Sequence, residues 1–148
     1  MTDRTTWMES WFDEGQSDGL ILCPPDFIAR LRVAFSCVFK RMRDEELVTF
    51  DEANVTLIAP WAANALVWPP LHVFGSRLRL LFLMDTLGSL DEAELSDVIA
   101  HECAHIVCGH EGLGNSPDEA SDTEREADAL SVTWGFRARY DPSGSLPL

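Results

Sequence analysis

The pentad His101-Glu102-Cys103-Ala104-His105 constrains this chain more than any other feature. Its two histidines cooperate only on a helix, where four residues turn about 400° and leave the side chains about 40° apart on one face. From that face both imidazoles can converge on a single metal ion at roughly 2.0–2.1 Å. The flanking residues agree with a helix. Ser89 or Asp91 serves as its cap and Gly109 stands near its stop, so a helix is predicted from about Asp91 to Cys108. Glu102 is turned about 100° from the first histidine. That direction suits a general base acting on a water at the open side of a metal, not a third ligand.

A catalytic site of this kind needs a third protein ligand and an open position. Glu124-Arg125-Glu126-Ala127-Asp128 offers one: Glu124 and Asp128 share a helix face, so Glu124 can ligate while Asp128 bonds a ligand histidine. Glu126 points to another face and reads as solvated. Cys108 is the rival ligand, but the rise of about 10.5 Å from His101 separates them unless the helix ends early. Cys103 and Cys108 otherwise read as small packed helix residues. His110 lies about 140° round from His105 and faces elsewhere. His72, beside a Pro-Pro pair, reads first as structural.

The remaining chain bounds the architecture. Its 148 residues suit one domain spanning 1–148. A formal charge of −14 argues against nucleic acid and anionic lipid as partners. No apolar signal segment follows Met1, and four cysteines are too few for a disulfide scaffold, so a cytoplasmic protein with free thiols is expected. Ala53 to Ser76 carries no charge, yet Pro60, Pro69, Pro70, Asn54, Asn64 and His72 make it a poor membrane span. No membrane association is expected.

Residues 1–25 read as an acidic N-terminal extension ending at Pro24-Pro25. Ile28, Leu31, Phe35, Val38 and Met42 predict one amphipathic helix over about 26–47. Val55 to Ala59 and Leu78 to Met84 read as strands, and the second is a possible edge for an added substrate strand. Glu111 to Ser121 reads as a loop, Asp122 to about Trp134 as a helix in which Trp134 and Phe136 pack on the core, and 141–148 as a loose tail.

Glu94 to His105, with His110 beyond, resembles the zinc helix of HtpX-like and prenyl-protein (CAAX) processing peptidases. Glu124 to Asp128 resembles their second motif. Asn64-Ala65-Leu66 resembles the segment before their substrate-flanking strand, and Leu78 to Leu90 that strand and its turn. The likeness covers about residues 55–136 and is to the minimal soluble forms. It implies a gluzincin with one zinc ion held by His101, His105 and Glu124, and Glu102 as general base. It also implies an α+β fold: a minimal zincin-like domain with an N-terminal helix, a small β-sheet, the HExxH helix and a glutamate-ligand helix.

The expected activity is hydrolysis of peptide bonds in a peptide or protein substrate. Tyr140, Arg137 and His72 are the candidates for oxyanion support. Two alternatives stand beside it: a catalytically weak or inactive zincin-like module that binds a partner protein, and a regulatory peptidase that cleaves a repressor.

Overall fold

A computed structural model describes the backbone of residues 3–17, 21–22, 25–61, 66–67, 71–73, 76–84, 90–110 and 117–138, and the side chains of 3–15, 26–56, 90–110 and 122–138. The helices are α1 (Arg4–Ser17), α2 (Pro25–Arg41), α3 (Asp44–Glu52), α4 (Glu92–Cys108) and α5 (Pro117–Thr133). The strands are β1 (Ile21–Leu22), β2 (Val55–Trp61), β3 (Leu66–Val67), β4 (Leu71–Val73) and β5 (Ser76–Met84).

Helix takes up 80% of the residues whose side chains are described. Only Val55 and Thr56 among those belong to a strand. The expected α+β fold, framed on a small β-sheet, is therefore corrected to a mostly helical body packed helix on helix. The reason lies in two segments. Within the acidic stretch, Met8 and Phe12 lie one turn apart and are buried, and Trp11 packs against Phe12, Phe35, Phe39 and Phe50 with ring centroids 4.8–5.7 Å apart. Residues 44–52 add a further helix whose Leu47 and Phe50 are fully buried. Each such side chain contributes roughly 1.5–3 kcal/mol when taken out of water.

The single helix predicted over 26–47 is in fact two. α2 ends at Arg41, and α3 begins after Arg43, whose backbone is extended and whose N–H donates to Glu46 Oε1 at 2.7 Å. That bond satisfies an amide the break leaves without a helical partner. From α1, Arg4 donates to the carbonyls of Phe39, Lys40 and Met42 at 3.0, 3.2 and 2.6 Å, and so caps the end of α2. Buried Glu46 also accepts from Trp134 Nε1–H at 3.1 Å, which joins α3 to the end of α5.

The strands pair in the order β1-β2-β5-β3, with β4 also on β5. β2 runs parallel to β5, while β3 and β4 run antiparallel to it. β5 thus has partners on both sides, so the expected substrate edge at Leu78 to Met84 is not a free edge. Leu66 opens β3, and Asn64 and Ala65 lie outside the described residues.

α4 is the central helix. Every residue from Leu95 to Ile106 is buried, beneath α2, α3 and α5. A helix covered all round must pair each polar side chain it carries. Asp97 is met by Arg137, and His101 and His105 by acids of α5.

Candidate metal centre

The site begins with two well-made helix ends. Asp91 caps α4 by accepting the Glu94 N–H at 2.8 Å. At the other end Gly109 takes φ +76°, and the His110 N–H reaches back to the His105 carbonyl at 3.1 Å. This left-handed turn ends the helix and folds His110 over it. α5 starts at Pro117, earlier than the predicted Asp122; proline suits a first helical position because its missing N–H would have no helical partner there.

His101, His105 and Glu124 offer one ligand atom each, all within 4.8 Å of one another. His101 Nε2 lies 2.7 Å from Glu124 Oε2 and 3.1 Å from His105 Nε2, and His105 Nε2 lies 3.3 Å from Glu124 Oε1. Nitrogen and oxygen donors sharing one tetrahedral ion sit about 3.3 Å apart, so these three residues fit a divalent cation. The two Nε2 atoms face each other. If both presented lone pairs they would repel unless a proton or a cation lay between them.

The protonation pattern agrees. Asp128 Oδ1 accepts from His101 Nδ1–H at 2.8 Å, which leaves the Nε2 lone pair of that ring for a ligand. Burial opposes charge on His101, but the bond to Glu124 and the charges of Glu102, Glu124 and Asp128 outweigh it and raise its pKa. Burial likewise opposes charge on Glu124, yet its bonds to His101 and His105 hold it well below the usual carboxylate range. Negative charge thus concentrates where a cation would sit.

Glu102 is 7% exposed and begins the next face of α4 after His101. Cys103 is fully buried, and burial, with Glu102 beside it, drives its thiol pKa well up, so it reads as packing. Arg137, expected as oxyanion support, donates from Nε to Asp97 at 2.8 Å and from its backbone N–H to the same carboxylate at 3.1 Å. His72 sits on β4 opposite Arg77, with its side chain outside the described residues. Tyr140 also lies outside them, as do Cys23, Ser89 and 141–148.

Sequence reasoning missed His110 and Glu126. His110 Nδ1 lies 2.8 Å from His105 Nδ1, and its Nε2 lies 3.1 Å from Glu126 Oε1. The expectation that His110 faces elsewhere is corrected; Glu126 is exposed as expected, and in addition meets His110. Counting 100° per residue fails past Gly109, where the chain reverses. The Cys-Gly-His triplet was the available signal.

No helix among the described residues is long and apolar enough to cross a membrane. Compared with known proteins, the chain matches no family model, no curated protein and no solved structure.

Proposed function

We propose that this chain is a zinc-dependent endopeptidase of the glutamate-ligand type, acting on a peptide or protein substrate. One observation carries the reading: the ligand atoms of His101, His105 and Glu124 converge within 4.8 Å, with Asp128 behind His101. Two imidazoles and a carboxylate suit zinc and leave an open position. When bound, the ion supplies Lewis acidity and a water of lowered pKa.

The chain's own residues do the rest. Asp128 fixes the His101 ring so that Nε2 points inward. The buried Glu102 carboxylate accepts a proton from the attacking water as the scissile carbonyl is attacked, then delivers it to the leaving amine nitrogen. The cytoplasm is the proposed compartment, in keeping with the free thiols of Cys37, Cys103 and Cys108.

A second reading, a metal-holding module that binds without cutting, is favoured by Arg137 being engaged by Asp97 rather than offered to a substrate. Glu102→Gln separates the two when tested on a broad peptide library. The peptidase reading predicts zinc retained and cleavage reduced about 10²–10⁴-fold. Wild-type protein that holds one zinc per chain and cuts nothing would favour the module. Comparing cleaved termini in cells carrying wild type or Glu102→Gln tests the narrower repressor-cleaving role.

A further inference from the structure

We propose a second cation site just past the end of α4, formed by Cys108 Sγ, His110 Nε2 and Glu126 and suited to a thiophilic divalent ion such as zinc. The ligand atoms of these three residues lie within 4.8 Å of one another. His110 Nε2 is 3.1 Å from Glu126 Oε1, and the Cys108 thiol is hydrogen-bonded to the Glu126 side chain. Sulfur, nitrogen and oxygen donors around one tetrahedral ion sit about 3.3–3.6 Å apart, which these residues reach with small side-chain shifts. Thiolate with imidazole selects zinc-like ions over magnesium or calcium. Glu126 is 62% exposed, so the ion has a path from solvent.

The local chain explains how the trio forms. Gly109 at φ +76° reverses the backbone between Cys108 and His110, and the His110 N–H bond to the His105 carbonyl fixes the fold-back. Glu126 stands on α5 two residues after Glu124, so one helix serves both clusters. On binding, the Cys108 thiol proton leaves to solvent.

The two clusters oppose each other. His110 Nδ1 and His105 Nδ1 are 2.8 Å apart, so a single proton lies between them. When His105 ligates through Nε2, its proton sits on Nδ1 and donates to His110. His110 then carries its own proton on Nε2, the atom the second ion needs. When His110 ligates, the roles reverse and His105 carries its proton on Nε2. Both ions are held together only if one imidazole gives up a further proton or turns its ring, so the second ion binds more weakly than the first. This opposition rests on the reading of His101, His105 and Glu124 as metal ligands; the second site does not.

Cobalt(II) titration of the full chain in a Cys37→Ser background tests both points. A thiolate-to-metal charge-transfer band reports sulfur ligation, which the first cluster lacks. The band is expected only at excess cobalt, to be lost in Cys108→Ser and Glu126→Gln, and to appear at lower cobalt in Glu124→Ala. No band in either wild type or Glu124→Ala, or a band undiminished by Cys108→Ser, overturns the second site. An equal midpoint in wild type and Glu124→Ala overturns the opposition. A band that saturates at one ion per chain with nothing bound before it supports the second site and refutes the first.

Discussion

Asp128 Oδ1 accepts the Nδ1 proton of His101 across 2.8 Å, from one helical turn beyond Glu124. α5 thus approaches both nitrogens of one imidazole, Glu124 at Nε2 and Asp128 at Nδ1. A carboxylate in that position fixes the tautomer and raises the basicity of the ligand nitrogen. Asp128→Ala should therefore weaken zinc affinity by about 10–100-fold. Competition against a chelator of known affinity measures this, and an unchanged affinity would remove Asp128 from the site.

Without metal, the same cluster gives a defined pH signature. Glu124 is shifted down, so its contribution to stability is present above its unfolded value of about 4.3 and lost as pH falls through the lower folded value. His101 is shifted up, so its contribution is complete below about 6.5 and lost as pH rises through the higher folded value. The metal-free chain should gain most from this pair between about pH 4.5 and 6.5. In chelator, the melting temperature of wild type should exceed that of Glu124→Gln most in this window, with the gap narrowing on both sides. A gap independent of pH would contradict the assignment.

Gly109 is positioned by backbone geometry alone. Its φ is +76°, and a Cβ there would meet nothing within 4 Å. Gly109→Ala should cost about 1 kcal/mol through the left-handed conformation. Denaturant unfolding measures the loss. A cost above about 3 kcal/mol would point to a steric clash that the open space argues against.

Cys108 should alkylate slowly at mildly alkaline pH. Burial, with a bond to Glu126, pushes its thiol up to about 12. The exposed Cys37 should be modified first. Glu126→Gln removes the charge and should speed modification of Cys108, read by mass spectrometry of the labelled chain. Equal rates at both cysteines would contradict the environment described.

Glu46 holds two helices to one another. It accepts from the Arg43 backbone N–H at 2.7 Å and from Trp134 Nε1–H at 3.1 Å, and it is buried. Glu46→Ala leaves the buried Trp134 Nε1–H unpaired, at a cost of about 1–3 kcal/mol, while the Arg43 N–H, on an exposed residue, turns to water. Double-mutant comparison with Trp134→Phe should show non-additivity, since the two residues share one bond.

How much of this was legible in the sequence differs by residue. The facing of His101 and His105, the cap at Asp91, the stop at Gly109 and the shared face of Glu124 and Asp128 follow from helical repeat and capping chemistry. α1 was not read, because the acidic residues around Trp7, Met8, Trp11 and Phe12 obscure an apolar pattern that needs the aromatic cluster of α2 and α3 to become stable. The break at Met42 was missed for want of a proline or glycine; Glu46 standing three residues after Arg43 was the signal. The α+β expectation came with the family resemblance; the apolar runs at Val55 and Leu78 do form strands β2 and β5, but among the described side chains the packed interior comes almost wholly from helices. His110 was misplaced because a helical wheel has no meaning beyond a left-handed glycine.

The most direct test is metal content per chain after exhaustive dialysis, for wild type and Glu124→Ala purified alike, both carrying Cys108→Ser so that only the first cluster is read. The account predicts one zinc per wild-type chain and its loss in Glu124→Ala with the helical fold retained. Wild-type protein that holds no divalent ion, or a Glu124→Ala chain that holds as much as wild type, would contradict it.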